Sequence, residues 1–188
     1  MFNFLQLMDD WILTQINSTY SHPLLDPFFV WITDLHKTLA FKVIIVPLVA
    51  ILFFRKFKRQ GVTLFLFLIL ALSFNDFTGA QIKNLAERPR PEYNTALVLN
   101  KRTDAGAFSF PSNHASNMFT FATYSSQFLP ELKIVFFALA AVVSYSRVYD
   151  GVHYPTDVLA GGLMGILWGL LFAKIARRVI SSGKQEAP

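Results

Sequence analysis

Apolar residues along this chain recur in long runs joined by short polar connections. Five runs carry the pattern, at roughly 38–55, 62–82, 114–129, 132–149 and 157–176. Together they use about 100 residues, at the roughly 20 per crossing that a membrane helix needs. Lys42 interrupts the first, Asp76 the second, and Arg147 lies near the end of the fourth. The recurrence still predicts five membrane spans. Pro47 predicts a kink in the first. Gly161, Gly165 and Gly169 fall four apart in the last. They either strip one helix face for close packing or are small residues tolerated in a membrane helix.

The first 36 residues read differently. Phe2, Leu5, Met8, Ile12 and Ile16 stand at helical spacing with Asp and Gln between them, which predicts an amphipathic helix over 2–17 lying in the membrane interface. Residues 24–34 predict a second short, shallow helix, and Trp11 and Trp31 suit an interfacial belt. Asp9, Asp10 and the missing basic stretch argue against a secretory signal. A sixth crossing over 18–36 would contain His22, Asp26 and Asp34. The expected fold is therefore all-α: an integral-membrane helical bundle of about five transmembrane helices, with six as the alternative, behind an N-terminal interfacial helix. The whole chain reads as one domain, with interfacial helices over 1–36, the bundle over 38–180 and a cytoplasmic tail over 181–188.

Composition agrees. Hydrophobic residues make up 53% and charged ones 15%, against about 25% charged in soluble domains. There is no Cys, which excludes a disulfide scaffold, thiolate metal sites and a thiol nucleophile. The net charge is +5. Its cations cluster at the ends of apolar runs, so lipid headgroups and topology explain them better than nucleic acid. Arg55, Lys56, Lys58, Arg59, Lys133, Lys174, Arg177, Arg178 and Lys184 fall on one side. Lys37, Lys42, Lys83, Arg88, Arg90, Lys101, Arg102 and Arg147 fall on the other. Once Lys83, Arg90 and Arg147 are set aside for chemistry, the positive-inside rule puts the C-terminus in the cytoplasm and segments 83–113 and 147–157 outside.

Three clusters on that outer side carry the chemistry. They are Lys83 to Pro91, Pro111-Ser112-Asn113-His114, and Ser146-Arg147 through His153 to Asp157. Lys83, Arg90 and Arg147 at span ends need an anion or water, and converging they would hold a phosphate. Pro111 suits the first position of a helix, with Ser112, Asn113 and His114 in its first turn, where free N–H groups favour an anion. Pro155 likewise opens the last span. His153 and Asp157 are four apart, so the carboxylate can fix the imidazole tautomer. Two His, one Asp and a phosphate cradle support substitution at phosphorus, one His attacking and the other protonating the leaving oxygen.

These clusters resemble the signature of the type 2 phosphatidic acid phosphatase family, K-x6-RP, PSGH and SR-x5-H-x3-D, whose site is shared with vanadium haloperoxidases and glucose-6-phosphatase. Lys83, Arg90, Pro91, Pro111, Ser112, His114, Ser146, Arg147, His153 and Asp157 match, and Asn113 stands where the pattern has Gly. The resemblance spans residues 83–157. It implies that His153 is the nucleophile and forms a phosphohistidine, that Asp157 orients it, and that His114 is general acid and then base. It implies that Lys83, Arg90 and Arg147 bind the phosphoryl oxygens, with Ser112 and the backbone N–H of Asn113 adding hydrogen bonds. Pro91 and Ser146 would support the site from behind. No metal and no cofactor are expected. Asn is tolerant of positive φ, so the backbone contact should survive, and its side chain either touches substrate or narrows the pocket.

Asp76, seven residues before Lys83, reads as a supporting partner for one of the motif cations. Glu87, Arg88, Asp150 and Tyr154, beside the motifs, read as solvated loop residues, the alternative being that they shape headgroup selectivity, and Lys101 and Arg102 as either steering groups or solvated ones. The function expected is a membrane lipid phosphatase. Its substrate would be a phospholipid or polyprenyl phosphate in the bilayer, with undecaprenyl pyrophosphate first, then phosphatidic acid, phosphatidylglycerol phosphate and a lipid A phosphate. The alternatives are a lipid phosphotransferase on the same site and a non-catalytic lipid-binding protein. The location expected is the bacterial cytoplasmic membrane.

Overall fold

The computed structural model describes residues 2–93, 98 and 106–185. Its described regular structure is helical, apart from one isolated bridge between Pro89 and Phe108. Seven α-helices follow in order: α1 Phe2–Thr14, α2 Asp26–Asp34, α3 Val46–Phe57, α4 Arg59–Ala86, α5 Asn113–Ser126, α6 Lys133–Tyr149 and α7 Pro155–Gln185. The residues expected as a tail continue α7 as far as Gln185.

Among the described residues, three helices are long and apolar enough to cross a membrane: Arg59–Ala86, Pro130–Tyr149 and Pro155–Ser182. They match the second, fourth and fifth apolar runs. The first run is divided. A wide π turn covers Phe41–Ile45, and α3 begins directly after it with Pro47 near its start. Proline lacks an N–H and its ring crowds the preceding turn, so the irregularity sits where a kink was expected. The third run, α5, has 14 residues, about 21 Å at 1.5 Å per residue. That is shorter than a bilayer core of about 30 Å.

α5 needs no lipid contact, because it is the centre of the bundle. Ala115, Ser116, Thr120, Ala122, Thr123, Ser125 and Ser126 are all buried. α7 closes against it through the glycine stripe. A Cβ at Gly161 would stand 2.4 Å from the Ser112 carbonyl oxygen, and one at Gly165 would stand 2.2 Å from that of Ser116. Small residues let the two backbones touch. The outer surfaces are aliphatic instead: Val62, Leu66 and Leu70 on α4, Leu159, Leu163 and Leu167 on α7. Hydroxyls inside and leucines outside suit a lipid solvent. Away from the loops that carry the motifs, Phe53, Phe128, Phe136 and Phe172 pack with Leu64 and Tyr124, whose hydroxyl donates to the Leu64 carbonyl at 2.7 Å.

α1 follows the same inverted rule. The expected apolar face of Leu5 and Met8 is exposed, and the buried stripe is Asp9, Leu13 and Asn17. Asn17 donates to the Tyr149 carbonyl at 2.8 Å. Phe4, Leu7, Met8 and Trp11 face outward, as an interfacial helix presents them to lipid.

Candidate active site

The ends of α4 and α6 meet the starts of α5 and α7. α4 stops at Glu87, whose φ of 45° puts it in the left-handed region, with its N–H on the Lys83 carbonyl. The chain then lays Arg88 to Tyr93 across the helix ends and is tied back by Ser109, whose N–H donates to Arg88 at 2.9 Å. α5 opens after Ser112, whose hydroxyl accepts the Ala115 N–H at 3.5 Å. Pro111 thus lies outside the helix, joined to Phe110 by a cis peptide bond, rather than at its first position. The Ser112 N–H donates to the Asp157 carbonyl at 3.0 Å, which fastens the start of α5 to that of α7. Pro155 opens α7 as expected.

His153 lies in the turn between α6 and α7, 2% exposed. Its N–H donates to the Arg147 carbonyl at 3.2 Å. One Arg90 nitrogen, Nη1, stands 3.2 Å from His153 Nε2. A guanidinium only donates, so Nε2 is the acceptor and the ring proton sits on Nδ1. Nδ1 in turn stands 3.6 Å from Asp157 Oδ2. Burial, then the charges of Arg147, Arg90 and Lys83, push the imidazole well below its ordinary range. The ring is therefore neutral at pH 7, with its basic lone pair aimed at a cation. Asp157 is fully buried, and Oδ2 also accepts the Tyr154 N–H at 2.9 Å.

The cations differ in their ties. Arg90 also donates to the carbonyls of Val152, at 2.7 Å, and Gly106. Arg147 is buried and donates to Thr33 on α2 at 2.7 Å. Lys83 donates to the Pro111, Ser109 and Phe108 carbonyls at 2.5, 3.2 and 3.4 Å, so it braces the loop before α5 while its charge reaches His153. His114, in the first turn of α5, meets the His36 ring edge-on with centroids 5.0 Å apart. The supporting positions Pro91 and Ser146 are buried, and the Ser146 hydroxyl bonds back to its own helix at Val143, 2.7 Å away.

Several expectations need correction. Asp76 pairs with amides rather than a cation, accepting from Asn117 at 2.8 Å and Asn113 at 3.4 Å. Asn113 has an ordinary helical backbone, since Lys58 and Glu87 are the non-glycine residues with positive φ among those described. Its side chain lies over Gly79, where a Cβ would come within 2.6 Å of Oδ1. Arg88 is not solvated: it bridges Asp157 and Asp9 at 2.7 Å each. Asp150 and Tyr154 are buried, while Glu87 is exposed. Lys101 and Arg102 lie outside the described residues. Sequence reasoning missed Asp9, Thr33, His36 and Thr156. The available signal for Asp9 was its four-residue spacing from Leu13 and, one step further, Asn17, which are buried with it.

The assembled groups can run substitution at phosphorus: a neutral imidazole with an orienting carboxylate, a second His at a helix start, and three cations around them. The family model of the PAP2 superfamily matches residues 60–181. The lipid A 4'-phosphatase of Bacteroides thetaiotaomicron is 29% identical over 100% of this chain and 85% of its own length. The undecaprenyl-diphosphatase of Sulfolobus acidocaldarius is 35% identical over 64% of this chain and 57% of its own length. The crystal structure of a transmembrane PAP2-type phosphatidylglycerolphosphate phosphatase from Bacillus subtilis superposes with a TM-score of 0.76 at 25% identity, covering 94% of this chain and 88% of that one.

Proposed function

This chain belongs to the PAP2 superfamily as an integral-membrane lipid phosphatase, and on that premise we propose that it removes a headgroup phosphate through a phosphohistidine at His153. The observation that carries the proposal is the His153 ring: Nδ1 toward Asp157, Nε2 toward Arg90, and neutral at pH 7. Nε2 attacks phosphorus and forms the N–P bond as the bond to the lipid oxygen breaks. His114 gives that oxygen its proton. Arg90, Arg147 and Lys83 stabilise charge on the phosphoryl oxygens, as do the first-turn N–H groups of α5. His114 then takes a proton from water, the water oxygen attacks phosphorus, and inorganic phosphate leaves with the His153 ring neutral again.

Two substrate classes have support. A lipid A phosphate is favoured by the similarity that runs the whole chain, and undecaprenyl diphosphate by the higher identity over part of it. The cations Arg59, Lys133 and Arg177 lie at the other ends of the helices that carry the motifs, and Lys56 at the end of α3 joins them, paired to Glu131 at 2.9 Å. Their placement supports a cytoplasmic position for that end and an outward-facing site in the bacterial cytoplasmic membrane.

The test is phosphate release in detergent, with EDTA present, from undecaprenyl diphosphate, lipid A, phosphatidic acid and phosphatidylglycerol phosphate. His153→Ala runs beside each. Release that survives EDTA and vanishes in the variant is expected, and the fastest lipid names the substrate. Equal release by the variant would remove His153 from the mechanism. Transfer of phosphate to an added acceptor lipid, with none released, would make the enzyme a transferase.

A further inference from the structure

Asp157 lies at the end of a chain of charges whose other members, Arg88 and Asp9, are not among the matched signature positions. Its Oδ2 faces His153, while its Oδ1 receives Nη1 of Arg88 at 2.7 Å. The same Nη1 donates to the Thr156 hydroxyl at 2.8 Å. The other terminal nitrogen, Nη2, is held from α1, by Asp9 Oδ2 at 2.7 Å and Gln6 Oε1 at 2.9 Å. The guanidinium lies 4.0 Å over the Tyr154 ring. Asp9 is anchored in turn: its Oδ1 accepts the Thr156 N–H at 2.9 Å and its Oδ2 the Thr156 hydroxyl. The side chains of Asp9 and Asp157 are 2% and 0% exposed, that of Arg88 21%. Burial opposes the Arg88 charge, but Asp157 and Asp9 outweigh it, and the group holds its proton more tightly than an ordinary arginine.

A guanidinium is flat and rigid, so fixing one terminal nitrogen aims the other. Both terminal nitrogens of Arg88 are committed to protein oxygens. Arg88 is therefore placed to hold Asp157 rather than a phosphoryl group, unlike Arg90, which stands beside His153.

We propose that Arg88 and Asp9 are positioning residues for Asp157, so that α1 is a working part of the catalytic centre. The proposal rests on His153 and Asp157 being the reacting pair. Arg88 holds Oδ1 so that Oδ2 stays turned to the His153 ring. Asp9 acts only through Arg88. Neither touches substrate, so their loss slows turnover without weakening binding.

The test is steady-state kinetics on the lipid that the wild type hydrolyses fastest. The variants are Arg88→Gln, Arg88→Lys, Asp9→Asn, the double Arg88→Gln/Asp9→Asn, and His153→Ala. Asp9→Asn keeps the shape and the acceptor for the Thr156 N–H, and melting in detergent checks each fold. Arg88→Gln is expected to lower kcat about 10- to 100-fold, the range for a lost orienting partner, with KM changed by less than about 3-fold. Asp9→Asn is expected to lower kcat about 5-fold or more. The double variant should be no slower than Arg88→Gln alone, because the two residues form one chain. Arg88→Lys meets one carboxylate at a time and should lose kcat at the same KM, which keeps the test open if the neutral variant does not fold. A raised KM at unchanged kcat would make Arg88 a substrate ligand and overturn the proposal. So would losses that multiply in the double variant, or an Asp9→Asn enzyme with full kcat while His153→Ala is dead. Full activity in His153→Ala would instead overturn the reading of the site itself.

Discussion

Gly165 is the position where a single methyl group should cost this enzyme most. A Cβ there would lie 2.2 Å from the Ser116 carbonyl oxygen, 2.9 Å from the Thr120 nitrogen and 3.0 Å from the Phe119 Cβ. Two of these three neighbours are backbone atoms, so no rotamer change relieves the clash. Ordinary contact begins at 3.4 Å, and the difference from 2.2 Å requires α5 and α7 to part by about 1.2 Å. Overpacking of this kind costs about 1–3 kcal/mol, or roughly 2–12 °C of melting temperature at this chain length. The larger effect is on chemistry. α5 carries His114, α7 carries Asp157, and their starts are joined by the 3.0 Å bond from Ser112 to Asp157. A displacement near 1 Å can cost about 100-fold in rate. Gly165→Ala should therefore melt several degrees lower and lose about 10- to 100-fold in kcat while remaining folded. The assay is thermal unfolding and phosphate release on one preparation, with Gly162→Ala as the comparison. A Cβ at Gly162 meets the Phe119 ring at 3.2 Å, and that ring can turn aside. Wild-type melting and turnover in Gly165→Ala would refute the close approach of the two helices.

Three further outcomes are expected. Because His153 binds its proton well below the ordinary imidazole range, it stays neutral until the pH falls well under 6.5, so the acid limb of kcat/KM should lie below that value; Arg90→Gln, which removes a cation beside Nε2, should move the limb upward, and a limb that stays in place would detach it from His153. Gly79→Ala should impair activity by pushing on Asn113, and Asn113→Gly should restore it in the double variant; failure of the rescue would mean that the two residues do not meet. The chain has no Cys, so Tyr93→Cys and Lys58→Cys report topology cleanly: an impermeant maleimide should label the first in intact cells and the second only after lysis, and the reverse would invert the orientation.

Much of the site is legible in sequence because it depends on local spacing. His153 and Asp157 need only the turn before Pro155 to meet, and the cations announce themselves by standing at span ends. What was not legible depends on the solvent and on distant contacts. The apolar stripe of α1 suggested an interfacial helix, and Met8 does turn outward, but that stripe did not tell that Asp9 turns inward to the site. Arg88 looked solvated because its partners are 79 and 69 residues away along the chain. Asp76 looked like a counter-ion because Lys83 shares its helix, but the nearer amides belong to α5. α5 itself read as a lipid-facing span because hydropathy does not distinguish a helix surrounded by protein from one surrounded by lipid.

That enclosure has a consequence for biogenesis. α5 carries Asn113, His114, Ser116, Asn117, Thr120, Thr123, Ser125 and Ser126 within 14 residues, so it has little of its own to draw it into a bilayer. The surface that receives it, the glycine face of α7, follows it in the chain by some forty residues and is made after it. Seating α5 is thus tied to α7, whose glycines receive it and whose Asp157 carbonyl takes the Ser112 N–H at the start of α5. A chain interrupted before Gly165 would leave a polar helix without the glycine face that receives it.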